Sequence, residues 1–332
     1  IEINPWSNMV RFARTGGEAN AIAIRIARAA TGKDNVAICG YHGWHDWYLS
    51  ANLGDQSNLD NLLLPGLEPA GVPKNLEGTV LPFKYNDFEY LENLVKNSDI
   101  GVIKMEVMRN EEPKDNFLSK VRDLATKHDI VLIFDECTSG FRETFGGLHK
   151  KFDVQPDMAM YGKALGNGYA ITAIVGKQEI MEAAQSSFLS STFWTERIGP
   201  SAALKTLEVM ESTKSWEVIS NKGISIKEKW KSLASKYDLD IEITGLSALP
   251  SFSFKKDNNL KYKTFITQEM LKKGYLAAMS VYVCTEHKQN IIDNYIIELD
   301  TVFKKIKDFE DGENIDNYLD GPVCHSGFSR LN

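Results

Sequence analysis

Residues 131–175 read VLIFDECTSGFRETFGGLHKKFDVQPDMAMYGKALGNGYAITAIV. This stretch decides the fold because it contains two short apolar runs, each followed closely by a charged residue. The run 131–134 is followed by Asp135, and the run 157–161 is followed by Lys163. Runs of this length and composition predict buried strands. Ligands of open α/β sheets lie at the carboxyl ends of the strands, so we expect Asp135 and Lys163 to face a ligand.

An acid and an amine at one sheet edge indicate a site for pyridoxal 5′-phosphate. This cofactor needs a lysine for its Schiff base and an acid facing its pyridinium nitrogen. Taken singly, Asp135 could cap a helix and Lys163 could be a solvated surface lysine, since strand ends and loops carry many charges. Their occurrence together, with glycines at 162, 166 and 168, favours the cofactor site.

Two segments resemble a known family. DECTSGFR at 135–142 resembles the DEV-x-TGFR segment of the class III pyridoxal-phosphate aminotransferases, particularly their glutamate-1-semialdehyde aminomutase branch. PDMAMYGKALGNGY at 156–169 resembles the PDL-x-x-x-GK-x-x-GGG segment of that family. The resemblance implies that Lys163 is the Schiff-base lysine and that Asp135 is the pyridinium partner.

The resemblance also implies the architecture of the chain. We expect the α/β type I fold of pyridoxal-phosphate-dependent transferases, with a mostly parallel seven-stranded sheet, a smaller C-terminal α/β domain and a homodimer with shared active sites. Residues 1–210 would form the large cofactor-binding domain and 211–332 the small domain. The matching segments begin inside the usual family length, so an N-terminal part of the small domain is expected to precede Ile1. In the C-terminal domain, residues 252–254 and 276–282 are predicted to be strands.

A glycine turn near the N-terminus is a candidate phosphate site. A short apolar run at 9–12 leads into Thr15-Gly16-Gly17, after which apolar residues recur at helical spacing. Such a turn offers free backbone N–H groups at the positive end of a helix dipole. A plain helix cap with Thr15 as the N-cap residue is the alternative. The segment resembles the SG-T/S-EA phosphate loop of the family, which implies that Thr15, Gly16 and Gly17 bind the phosphate, mostly through the backbone.

The sequence YHGWHD at 41–46 follows another predicted strand. Two histidines near an aspartate could ligate a metal, but nothing nearby completes a ligand set, so we predict no metal. The segment resembles the YHG motif of the family, which implies that Tyr41 stacks on the cofactor ring and that His42 lines the pocket. An ordinary core tyrosine is the alternative for Tyr41.

Glu106 ends the predicted strand 100–105 and should lie at the same edge as Asp135. It matches the glutamate of the family segment E-P-x-x-G, but residues 107–110 depart from that segment and change one wall of the substrate pocket. Arg109 lies in this departure and could pair with a substrate carboxylate or phosphate, or form a structural ion pair.

Thr192 matches the threonine of the family segment T-x-x-GNP, which implies that it reaches the phosphate bound by the other subunit. The GNP itself is replaced by 195–197, which puts the nearby substrate contacts in doubt. Arg197 could therefore bind a substrate anion, with an ion pair to Glu196 as the structural alternative.

The composition of the chain argues against several functional classes of protein. The net charge of −7 argues against a general nucleic-acid binder, which needs a basic face. No run approaches the length of a membrane span. The four cysteines contain no CxxC pair, so neither a disulfide framework nor a zinc site is indicated, and a cytoplasmic setting is favoured.

The function predicted from the sequence is transfer of an amino group between an amino donor and an aldehyde or ketone acceptor. The departures at 107–110 and 195–197 favour an intermolecular transaminase over the intramolecular glutamate-1-semialdehyde 2,1-aminomutase, which stays open as the alternative. A second alternative is a non-catalytic pyridoxal-phosphate-binding module of a larger biosynthetic protein. The sequence identifies neither the amino donor nor the acceptor.

Overall fold

The computed structural model of the chain describes residues 1–60, 62 and 65–327. The chain forms two compact units, and the division between them falls after Lys214.

The first unit is built on one seven-stranded sheet. In chain order its strands are β1 (Met9–Ala13), β2 (Asn35–Cys39), β3 (Val80–Pro82), β4 (Ile100–Glu106), β5 (Val131–Glu136), β6 (Met158–Tyr161) and β7 (Thr172–Gly176). Their order across the sheet is β1-β7-β6-β5-β4-β2-β3. Strand β7 is antiparallel to both of its neighbours, and every other pair is parallel. The prediction of a mostly parallel seven-stranded sheet is confirmed.

Helices of the first unit connect and cover these strands. They are α1 (Gly16–Thr31), α2 (Asp46–Leu49), α3 (Phe88–Asn97), α4 (Phe117–Lys127), α5 (Gln178–Met181) and α6 (Ile198–Thr213). Helix α1 buries an apolar stripe that includes Ile22 and Ile26 against sheet residues such as Ile133 and Met160. This packing fixes the N-terminus of α1 beside the carboxyl end of the central strands.

Strands β4 and β5 lie in the interior of the sheet, and every residue of both is buried. Strands covered on both faces are apolar almost throughout, which explains the continuous apolar runs in the sequence. The register pairs Glu106 with Asp135, and Asp135 with Met160. The predicted position of Glu106 beside Asp135 is therefore confirmed.

The second unit contains three long helices and a small sheet. The helices are α7 (Ser215–Lys236), α8 (Asn259–Lys272) and α9 (Gln289–Glu310), and the strands β8 (Ile241–Thr244) and β9 (Ser251–Phe254) pair antiparallel. Its core is centred on aromatic side chains, among them Trp230, Phe252 and Phe303.

The prediction of a strand at 276–282 is wrong. The segment runs beside β9, but the two join only through an isolated bridge between Ser251 and Ser280 and single hydrogen bonds, such as Phe252 N to Met279 O at 2.9 Å. Leu276 is 97% exposed, so the apolar residues of this segment do not form one buried face. In the part of the chain that the structure describes, no helix is long and apolar enough to cross a membrane.

Candidate active site

Asp135 and Lys163 follow neighbouring parallel strands. Asp135 is the penultimate residue of β5 and is buried. Lys163 comes two residues after the end of β6 and is exposed. The backbone of Lys163 is left-handed, with φ of 41°, at the start of a short 3₁₀ turn. Its Nζ donates a hydrogen bond to Thr138 Oγ1 at 2.7 Å. The carboxyl end of β5 therefore carries a buried acid, and the end of the adjacent strand β6 is followed by an amine that is held by a hydrogen bond.

Three neighbours hold the carboxylate of Asp135. Its Oδ2 lies 2.9 Å from His42 Nδ1 and 3.6 Å from Lys104 Nζ, and its Oδ1 accepts a hydrogen bond from the Cys137 backbone N–H at 3.1 Å. Burial alone would raise the pKa of Asp135, but Lys104 and His42 more than offset burial and hold that pKa below its usual range. Asp135 is therefore an anion at neutral pH.

His42 is fully buried between Asp135 and the strand β2. Its second ring nitrogen, Nε2, lies 3.2 Å from the carbonyl oxygen of Cys39. Burial lowers the pKa of His42, although Asp135 opposes that effect. His42 Nδ1 donates a hydrogen bond to Asp135, because an ionised carboxylate only accepts. His42 thus fixes the direction of the carboxylate.

Lys104 was not singled out in the sequence, although it also belongs to the site. It lies in the middle of β4 and its side chain is fully buried. Besides Asp135, its Nζ contacts Met160 Sδ at 3.0 Å. The signal in the sequence was a single lysine inside an otherwise apolar run, which is rare in a strand buried on both faces.

Thr15, Gly16 and Gly17 form the turn that precedes and begins α1. Thr15 is the N-cap residue, and its Oγ1 accepts a hydrogen bond from Glu18 N at 3.2 Å. A β-carbon placed on Gly16 would lie 3.9 Å from Cys137 Sγ, and one placed on Gly162 would lie 3.4 Å from the same sulfur. The glycine turn and the lysine-bearing segment therefore meet at Cys137.

The space beside Gly17 is filled by the imidazole of His45. A β-carbon on Gly17 would lie 2.6 Å from His45 Cε1 and 2.8 Å from His45 Nδ1. Gly43, with φ of 95°, allows the two loops to approach, since its own β-carbon would lie 3.1 Å from Gly17 Cα. Among the described residues, the buried Nδ1 of His45 has no hydrogen-bond partner. The turn thus combines free backbone donors with an unused ring nitrogen.

Glu106 ends β4, which lies on the side of β5 opposite to β6, and Tyr41 follows β2. Tyr41 is half-buried and packs edge-on against Tyr48, and its backbone N–H donates to Glu106 Oε2 at 3.2 Å. Arg109 Nη1 lies 3.2 Å from Glu106 Oε1, so Arg109 forms the structural ion pair that was one of its two predicted roles. Burial raises the pKa of Glu106, and Arg109 partly offsets that rise.

Thr192 is exposed at the start of a 3₁₀ turn before α6. The turn that Thr192 begins packs beside the residue before the glycine turn, since the guanidinium carbon of Arg14 lies 4.2 Å from the ring centroid of Phe193. The alternative ion pair between Arg197 and Glu196 is not formed, because Glu196 instead caps α6 and accepts hydrogen bonds from Ile198 N and Gly199 N at 2.6 and 2.9 Å. Within the described part of the chain, no group of three or more His, Cys, Asp or Glu side chains is placed to hold a metal ion.

These residues fit a pyridoxal phosphate. The glycine turn and the unpartnered His45 Nδ1 suit a phosphate, the ionised Asp135 suits a protonated ring nitrogen, and the exposed Lys163 supplies the amine. The fold and the site together define a pyridoxal-phosphate-dependent transferase of the α/β class.

Comparison with known proteins gives the family. Residues 1–311 match the family described as Aminotransferase class-III, and the chain belongs to it. Class III aminotransferases depend on pyridoxal phosphate, so this is the cofactor of the chain.

Relatives of the chain within the family include an aminotransferase and aminomutases. The chain is 36% identical over 276 residues to a 3-aminobutyryl-CoA aminotransferase of Cloacimonas acidaminovorans, a match that covers 80% of this chain and 63% of that protein. It is 32% identical over 306 residues to a glutamate-1-semialdehyde 2,1-aminomutase of Sulfolobus acidocaldarius, covering 88% of this chain and 71% of that one.

Solved structures confirm the type I fold. The internal aldimine form of the FumI protein of Sphingopyxis sp. MTA144 is similar with a TM-score of 0.84 at 20% identity, covering 96% of this chain and 76% of that chain. An omega-transaminase from Sphaerobacter thermophilus is similar with a TM-score of 0.81 at 20% identity, covering 91% and 75%.

Proposed function

We propose that this protein is an aminotransferase that moves an amino group between an amino donor and an aldehyde or ketone acceptor. The observation that carries the proposal is the pair formed by Asp135 and Lys163 at the ends of β5 and β6, beside the glycine turn that begins α1. In the family, this is the pattern of a site that both binds the cofactor and performs chemistry with it. A chain that only bound the cofactor would not need both groups.

Each residue has a distinct role in this proposal. When bound, pyridoxal phosphate supplies an electron sink for the electrons left as the α-proton of the amino substrate is removed. Lys163 would hold the cofactor through Nζ, and its amine would take up and return that proton. The hydrogen bond from Nζ to Thr138 Oγ1 limits where this amine can swing. Asp135 keeps the ring nitrogen protonated because the carboxylate itself stays ionised.

The remaining site residues bind and orient. Gly16, Gly17 and the Thr15 cap hold the phosphate through the backbone at the start of α1. Tyr41 offers a flat face to the ring, His42 orients Asp135, and Glu106 forms a wall of the pocket at the same sheet edge.

Lys163 provides the direct test of this function. The purified protein should absorb visible light, lose that band on borohydride reduction and then carry the cofactor mass on Lys163 in a tryptic digest. A panel of amino donors should convert the cofactor to its pyridoxamine form, whereas a non-catalytic binding module would show no conversion. Labelling at a different lysine would rule out the assignment.

The aminomutase is kept as a second candidate because several relatives carry that name, including one that is 32% identical. We favour the transaminase because residues 107–110 and 195–197 depart from the family segments that the aminomutase branch shares. The two are separated by supplying glutamate 1-semialdehyde to the pyridoxamine form. Efficient formation of 5-aminolevulinate would decide for the aminomutase, and turnover only with a separate donor and another carbonyl compound would decide for the transaminase.

We further propose a homodimer in which Thr192 completes the phosphate site of the partner subunit. Its support is the exposure of large apolar side chains in and before α6: Phe188, Ile198 and Leu204 are 85%, 70% and 70% exposed. Sedimentation that shows a monomer with full cofactor occupancy would contradict this assembly. We also propose that residues 1–210 are the cofactor-binding domain and 211–332 the small domain, and that the protein is cytoplasmic, which its four free cysteines support.

A further inference from the structure

Lys104 occupies a position where a lysine needs a reason. Its side chain is fully buried in the central strand β4, where its register neighbours are Ile38 and Ile133, both also fully buried. Moving an ammonium group from water into a protein interior costs roughly several kcal/mol, even after the protein has relaxed around the charge. An apolar side chain at this position would avoid that cost.

The partners of the ammonium are few and specific. Nζ lies 3.6 Å from Asp135 Oδ2 and 3.0 Å from Met160 Sδ. A thioether is a weak acceptor, so Asp135 supplies the largest part of the compensation. The other titratable groups around the carboxylate are His42, which donates to the same oxygen, and Glu106 and Cys137, whose pKa values are raised chiefly by burial. Lys104 is therefore the only lysine or arginine among the buried groups described around Asp135.

The two oxygens of Asp135 are unequally occupied. Oδ2 is engaged by His42 and Lys104, whereas Oδ1 accepts the Cys137 backbone N–H, and the Cys137 thiol is a further hydrogen-bond partner of the carboxylate. An ionised carboxylate oxygen accepts more than one hydrogen bond. Oδ1 therefore has capacity for one more donor, and the carboxylate cannot rotate without losing both partners on Oδ2.

We propose that Lys104 is a positioning residue of the active site: it keeps Asp135 ionised and oriented with Oδ1 free for the ring nitrogen of the cofactor, and its charge tempers the proton affinity of that nitrogen. This inference rests on the proposed function, in which Asp135 faces the ring. A second cation beside Asp135 weakens the hold of the carboxylate on the ring proton, because both compete for one negative charge. Lys104 thus sets how strongly the ring draws electrons.

The first test uses cofactor-free protein, so its result does not depend on the proposed function. The titration of the Asp135 carboxyl carbon is followed by ¹³C NMR in the wild type and in Lys104→Met, which keeps the length of the side chain. We expect the pKa of Asp135 to rise by roughly 1–3 units in the variant. Lys229→Met, which removes a half-buried lysine paired with Asp293 in the second unit, is the matched control and should leave Asp135 unchanged.

The second test adds cofactor with a ¹⁵N-labelled ring. In Lys104→Met the ring nitrogen should stay protonated to higher pH than in the wild type. Lys104→Gln, which keeps a polar end group, should show the same direction if the methionine variant folds poorly. An unchanged pKa of Asp135 in the cofactor-free variants, or an unchanged ring nitrogen despite a shifted Asp135, would overturn the inference. Absence of any Lys163-bound cofactor in the wild type would instead refute the proposed function, and the first test would still decide whether Lys104 controls Asp135.

Discussion

Asp135→Asn should destabilise the first unit, in addition to any effect on catalysis, because it leaves the Lys104 ammonium buried without a carboxylate. Removing one partner of a buried ion pair costs about 3–5 kcal/mol. Neutralising the lysine limits this cost. A lysine with an unfolded-state pKa of about 10.4 costs about 4.6 kcal/mol to neutralise at pH 7 but only about 1.9 kcal/mol at pH 9.

The pH dependence follows from the direction of the shift. Burial lowers the pKa of Lys104 in the folded protein, and Asp135 is the main group that opposes it, so the lowering is greater in Asp135→Asn. The folded state then binds fewer protons than the unfolded state, and stability rises with pH up to the unfolded-state pKa. The loss should be roughly 8–16 °C in Tm at pH 7 and about half of that at pH 9.

Thermal unfolding of the cofactor-free protein at both pH values measures this effect. The double variant Asp135→Asn/Lys104→Met is the control, because it removes the buried ammonium together with its partner and should recover most of the loss. An equal loss at pH 7 and pH 9, or a double variant as unstable as Asp135→Asn, would refute the reasoning.

Two glycines near the site give further predictions. Gly17→Ser should weaken binding of pyridoxal phosphate, measured by absorbance titration, and lower Tm, since its β-carbon would lie 2.6 Å from His45 Cε1. Tm should recover in Gly17→Ser/His45→Ala, and no recovery would contradict the packing. Gly40→Ala should cost about 1–3 kcal/mol, because Gly40 has φ of 103° and its β-carbon would lie 2.6 Å from Glu106 Oε2. Gly32→Ala is the matched control for Gly40→Ala, with φ of 68° and no atom within 4 Å, and a similar loss in Tm for the two would argue against a clash.

The sequence by itself determined the frame of the site. Apolar runs that end at charged residues predict buried strands, and the side chains at their carboxyl ends must share one edge of a parallel sheet. For this reason Asp135, Glu106 and Lys163 could be placed together before any coordinates, and Thr15 could be predicted as a helix cap. These features depend on local patterns along the chain and on the general geometry of α/β sheets.

Only the tertiary structure decided which side chains meet across that edge. The contact between Lys104 and Asp135 depends on the register of β4 against β5. The contact of the His45 ring with Gly17 depends on the packing of two loops that are distant in sequence. The segment 276–282 has the composition of a strand, but it forms one isolated β-bridge with its neighbour instead of a continuous series of strand hydrogen bonds. Register and packing arise from contacts between residues far apart in the chain, and no periodicity within a single segment records them.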